Sequence, residues 1–145
     1  MNIQARLVAK YVLEQCKKKK KPISNLQLQK MLYYIQIELM KQNEDIIIDE
    51  FEAWRFGPVI NNVYYEYCVN GPYAITDIYD IPGELPKKVK EVINKVIREK
   101  INLNPWEMVE QTHRKGGAWF IIYNNGKGNK NIIPKELIRE KELQV

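Results

Sequence analysis

The stretch "SNLQLQKMLYYIQIELMK", beginning at Ser24, constrains this chain more than any other. Leu28, Met31, Leu32, Ile35 and Leu39 recur at the three- and four-residue spacing that puts side chains on one face of a helix. The first four residues form a capping box. The Ser24 hydroxyl can accept from the amide of Gln27, and the Gln27 side chain can reach back to the Ser24 amide. Such a cap is worth about 1 kcal/mol. A helix that starts so firmly and buries so wide a stripe needs partner elements around it, and the flanking sequence supplies them.

Ile3, Leu7, Val8, Tyr11 and Val12 predict a first helix over 3–17, closed by the lysine run 17–21 and by Pro22, which cannot continue a helix. "DIIIDEFEAW" favours an extended segment. Gly57 and Pro58 read as N-cap and first residue of a third helix, whose apolar face is Ile60, Val63, Tyr64, Tyr67 and Cys68. Residues 73–84 read as an irregular connection. Leu85, Val89, Val92, Ile93, Val96 and Ile97 predict a fourth helix from about Pro86 to Lys100. "NPWE" opens a fifth, with Asn104 and Glu107 as a second capping box and Gly116–Gly117 as its end. "AWFIIYN" fits a short helix or a buried strand equally, because periodicity cannot separate the two over so short a run. "NNGKGNKN" reads as a polar mobile loop and "PKELIREKEL" as a charged final helix. The expectation is a mainly α, single compact domain spanning 1–145, with five or six helices and one or two short extended segments. At 145 residues it is large enough to fold without disulfide or metal.

Composition narrows function mostly by exclusion. No apolar run approaches the roughly 20 residues of a membrane span. The N-terminal stretch is charged and amphipathic, unlike a secretory signal. Cys16 and Cys68 read as reduced thiols of a cytoplasmic protein. Ser24 is the only serine, and the cap already uses it; His113 is the only histidine. That leaves no catalytic triad, no metal-ligand spacing and no phosphate-cradling glycine loop, so no enzyme, metal or cofactor is expected. The net charge of +5 owes much to Lys17–Lys21. That run is either a helix end complementing the dipole or a patch for an anionic partner. His113 is either a helix-end residue, favoured there if protonated, or part of a partner surface.

Taken together, "ISNLQLQKMLYYIQIELMK" and "FEAWRFGPVINNVYYEY" resemble the Panacea-domain antitoxin family, also described as SocA-like or GepA-like and common in phage-associated proteins. The first motif is carried by Leu26, Leu28, Gln29, Lys30, Met31, Leu32, Tyr33, Tyr34 and Gln36. The second is carried by Glu52, Ala53, Trp54, Phe56, Gly57, Pro58, Val59, Val63, Tyr64 and Tyr67. A later Thr-His with a following tryptophan is matched by Thr112, His113 and Trp119. Met31 for leucine and Phe56 for tyrosine are mild departures. The resemblance implies a helical domain that binds and neutralises a cognate toxin protein, in some relatives as an adaptor handing the toxin to a protease.

The aromatics divide between core and surface. Tyr64 and Tyr67 belong with the third helix's apolar face, and Trp54 and Phe56 are expected to close that helix on the second. Gln29, Gln36 or Glu52 are expected to satisfy buried Trp and Tyr polar atoms. Tyr33, Tyr34, Arg55 and Tyr65, with His113, are the expected partner-binding group, because aromatic and Arg anchors dominate interface centres. The competing reading is a basic nucleic-acid-binding regulator of a mobile element, resting on the lysine run and the tyrosines. No zinc-finger, RRM or KH signature accompanies it.

Overall fold

The computed structural model describes residues 2–42 and 45–143. In chain order it contains β1 (Asn2–Ile3), α1 (Ala5–Lys18), α2 (Asn25–Lys41), β2 (Ile46–Ile47), β3 (Phe51–Trp54), β4 (Gly57–Val59), α3 (Asn61–Tyr67), α4 (Lys87–Lys100), α5 (Pro105–Thr112), α6 (Ala118–Tyr123), β5 (Ile132–Ile133) and α7 (Lys135–Glu142). The fold is mainly α, as expected. Among the described residues there are seven α-helices rather than five or six, since "AWFIIY", which fitted helix or strand equally, is helical.

α2 is the axis. α1, α3, α4, α5, α7 and β4 all pack against it. Its capping box forms as the sequence predicts, with Ser24 Oγ accepting from the Gln27 amide and Gln27 Oε1 accepting from the Ser24 amide. The stripe Leu28, Met31, Leu32, Ile35 and Leu39 is fully buried and meets Val8, Val12 and Leu13 of α1 and Val89, Ile93 and Ile97 of α4 in one contiguous core. Asn104 and Glu107 close the second capping box at the start of α5. That helix ends at Thr112, with His113 as its C-cap, before the two glycines.

The extended segments form two small sheets. β1 pairs in parallel with β2, and β3 lies between antiparallel β4 and β5. The main correction to the sequence reading falls here. Gly57 and Pro58 do not open a helix. They form the return strand of a hairpin in which Trp54 pairs with Gly57, leaving Arg55–Phe56 as a two-residue turn. α3 starts later, at Asn61, with Ile60 as its N-cap. The usual glycine signal for a tight hairpin is absent from the turn itself. Arg55 and Phe56 keep negative φ, and Gly57 takes up the positive value, +118°. Proline is tolerated in β4 because it lies at the edge of its sheet. The hairpin also turns Phe56 out to solvent instead of closing α3 onto α2.

Three smaller differences follow. Cys16 is buried as expected, whereas Cys68 lies in a short 3-10 turn beyond α3 and is exposed. Tyr64 is half-buried, and Val63 and Tyr67 carry the buried face of α3. The glycine-rich loop before β5 folds as successive turns tied to β3, with the Lys130 amide donating to Ala53 O at 2.6 Å and the Ala53 amide donating to Asn131 O at 2.8 Å.

Candidate partner-binding surface

The polar side chains of α2 face the backbone of the extended segment that follows it. Gln36 Nε2 donates to Ile47 O at 3.0 Å while its Oε1 accepts from the Ile47 amide at 2.9 Å. Gln29 Oε1 accepts from the Ile60 amide at 2.9 Å, and its Nε2 donates to Asn25 Oδ1 at 3.0 Å. Asn25 Nδ2 in turn donates to Tyr64 O at 3.0 Å. Lys30 Nζ donates to Pro58 O at 3.4 Å. The glutamines thus serve main-chain groups rather than the aromatic polar atoms assigned to them from sequence. Glu52 does take that role, accepting from Trp54 Nε1 at 2.8 Å. Unpaired buried peptide groups are costly, so these bonds fix where the segment 46–60 lies.

The other side of the hairpin rests on the Thr-His…Trp residues. Trp119 Nε1 donates to Trp54 O at 2.7 Å. His113 stacks on Trp119 with centroids 3.6 Å apart and planes 5° from parallel, and Trp119 stacks on Tyr123 at 4.7 Å. Burial first, and the positive charge of Lys30 second, push the His113 imidazole down to about 4, against a hydrogen bond to the Phe56 backbone that pulls it up. The ring is therefore neutral near pH 7. It acts as a stacked support, and the protonated helix-end role suggested by its position is not the one it fills. Thr112 Oγ1 donates to Val109 O at 2.9 Å and lies against Gly57.

Pinned on both sides, the hairpin displays a surface. Trp54 sits against Tyr64 at 4.8 Å and Tyr65 at 6.1 Å, and Lys130 Nζ lies 5.0 Å over the Trp54 ring. Arg55 packs over Phe56, which meets Trp106 edge-on at 5.6 Å. Tyr65 is 54% exposed, Phe56 43% and Trp106 59%. A pocket of about 330 Å³ opens here, with Trp54, Arg55, Phe56 and Tyr64 among its lining residues and Lys30 in its wall. Trp106 and Lys130 were missed from sequence. Trp106 carried a readable signal, since it stands beside the Pro105 helix start and off the apolar stripe; Lys130 reaches Trp54 only through the β5 pairing.

The sequence-derived partner group is only partly assembled. Arg55 and Tyr65 are on the exposed face. Tyr33 is not exposed. It is buried in the core edge-on to Phe51 at 5.2 Å, and its hydroxyl donates to Glu142 Oε2 at 2.6 Å, because helix α7 folds back over it. Burial first, then the Glu142 charge, drives its phenol upward. Tyr34 is half-buried in a separate cleft of about 700 Å³ shared with Lys100 and Gln111, and its hydroxyl donates to Gln111 Oε1 at 2.9 Å. His113 lies behind the hairpin. Lys17–Lys21 are exposed, yet Lys17 Nζ is held by Thr76 O and Lys21 Nζ by Asn102 Oδ1, so two of the run serve as ties to neighbouring loops.

The fold is thus a helical body with a hairpin clamped against its central helix, and exposed Phe56, Tyr65 and Trp106 stand at and around that hairpin. Comparison with known sequences makes the class definite. The profile of the SocA-like antitoxin Panacea domain matches residues 28–120, and the chain belongs to that family. It is 32% identical over 143 residues to Antitoxin SocA of Caulobacter vibrioides (strain NA1000 / CB15N), covering 90% of this chain and 76% of that protein. No solved structure gives a significant match. No described helix is long and apolar enough to cross a membrane.

Proposed function

We propose that this chain is an antitoxin that neutralises a cognate toxin protein by direct contact, using the face built from the Arg55–Phe56 hairpin tip and the exposed side of α3. The observation that carries the reading is the cluster of exposed Tyr65, Arg55, Phe56 and Trp106 around half-buried Trp54 and Tyr64, held on a backbone that α2 and Trp119 fix from behind. Large rigid aromatics and arginine supply contact area at small entropic cost, which is why interface centres favour them. Prior fixation of the hairpin lowers the ordering cost of binding. Membership in an antitoxin family supports a toxin as the partner class.

The test is co-expression with the product of the neighbouring gene. Wild type restores growth to cells producing that protein and co-purifies with it. A neighbour that is harmless alone, or that stays toxic beside a stably folded wild-type chain, refutes the proposal. The same contact serves neutralisation by occlusion or by hand-over to a protease, and the toxin's half-life with and without this chain separates the two.

A further inference from the structure

Among the described residues, Lys30 is the charged side chain buried beneath the surface just described. Its side chain is 0% exposed, yet it forms part of the wall of the pocket whose other walls include Trp54, Phe56 and Tyr64. An ammonium carries three donors, and the bond that engages it, to Pro58 O at 3.4 Å, is at the long limit. Holding the hairpin does not require a charge, since Gln29 on the Ile60 amide at 2.9 Å and Trp119 on Trp54 O at 2.7 Å do so with neutral groups. A buried cation with one weak hydrogen-bond partner among the described residues is costly, and an anion that reaches it recovers that cost.

The surroundings select the sign and type of that anion. Among the described lining residues none is acidic, while Arg55 stands with Lys30 in the lining. Lys130 lies over the Trp54 ring, and the nearby Glu52 carboxylate is occupied by Trp54 Nε1. Asn25, Gln29 and Lys30 of α2 bring polar residues to this lining. The aromatic walls suit apolar neighbours.

We infer that this pocket receives an aspartate or glutamate side chain, flanked by apolar residues, from the partner toxin, and that its carboxylate pairs with the Lys30 ammonium. The inference rests on the toxin-binding function proposed above and adds the chemistry of the segment recognised. Burial holds Lys30 down at about 7, so the ammonium is populated at neutral pH and gains most from a carboxylate. His113, the titratable group whose environment is coupled to Lys30, stays neutral there and does not compete.

The experiment uses the full chain in complex with the neighbouring gene's toxin. A water-soluble carbodiimide joins an amine to a carboxyl only where the two touch, and mass spectrometry reads the joined peptides. The expected result is an isopeptide bond between Lys30 and a toxin Asp or Glu. In parallel, Lys30→Met is expected to bind at least tenfold more weakly while melting no lower than wild type. Links confined to rim lysines such as Lys130, a link from Lys30 to the toxin's C-terminal carboxyl, or wild-type affinity in a folded Lys30→Met variant each overturn the inference. Should Lys30→Met fail to fold, the cross-link in the wild-type complex decides alone. If wild type forms no complex, the toxin-binding proposal falls and this inference with it. A complex that lacks the Lys30 link sinks the inference alone.

Discussion

Gln36 closes both arms of its amide on a single peptide unit, that of Ile47, donating to its carbonyl at 3.0 Å and accepting from its amide at 2.9 Å. The side chain is fully buried and imitates a strand neighbour, so β2 has a partner on the α2 side as well as β1. Gln36→Met keeps the volume but leaves both main-chain groups unpaired. Each such loss costs about 1–3 kcal/mol. The expected outcome is a destabilisation of about 2–5 kcal/mol by urea unfolding. A change under about 1 kcal/mol shows that water replaces the amide.

Gly57 is the second structural requirement. Its φ of +118° is strained for any residue with a side chain, and a Cβ there comes within 2.8 Å of Lys30 Nζ and 2.9 Å of Thr112 Oγ1. Gly57→Ala is expected to lower stability by at least about 2 kcal/mol, combining backbone strain with overpacking. Gly71, also at positive φ but with nothing near its Cβ position, is the control, since Gly71→Ala there adds strain without a clash. Equal losses in the two variants refute the clash with Lys30.

The pH dependence of stability follows from Lys30. Burial lowers its pKa from 10.5 to about 7. Between those values the unfolded chain binds more protons than the folded one, so stability rises as pH increases from 7. Cys16, whose thiol burial pushes from 9.0 up to about 11, offsets that rise above pH 9 and flattens the curve. Melting temperature is therefore expected to climb between pH 7 and 9 in wild type and to lose that climb in Lys30→Met. At pH 6.5 the variant is expected to be about 1–4 kcal/mol more stable, as when a buried charge gives way to an apolar side chain. His113 acts in a lower window. Its pKa, depressed to about 4, gives a contribution that is complete above pH 6.5 and lost as pH falls through 4.

The binding face is tested by separating exposed from buried tyrosines. Arg55→Ala combined with Tyr65→Ala is expected to weaken toxin binding by more than about 2 kcal/mol, as interface anchors do, with unchanged unfolding midpoint. Tyr33→Phe is expected to do the converse. It removes the hydroxyl bond to Glu142 and lowers stability by about 1 kcal/mol while leaving affinity intact. Calorimetric titration reads the affinities, and wild-type affinity in the double variant removes this face from the interface.

What the sequence by itself determined is the helical frame and its punctuation. The capping boxes at Ser24–Gln27 and Asn104–Glu107, the buried stripes of α2 and α4, and the family motif were all legible, because caps and periodicity act within a few residues of chain. The tertiary structure alone decided the roles of individual motif residues. Gly57–Pro58 is locally a good helix start, yet β3 pairing and the Gln29 bond to the Ile60 amide draw it into a hairpin. Tyr33 and Tyr34 are adjacent on α2, and only the return of α7 with Glu142 buries one and not the other. The surface joins Trp54–Phe56, Tyr65, Trp106 and Lys130 through contacts long in sequence, and no local signal encodes which elements come to lie side by side.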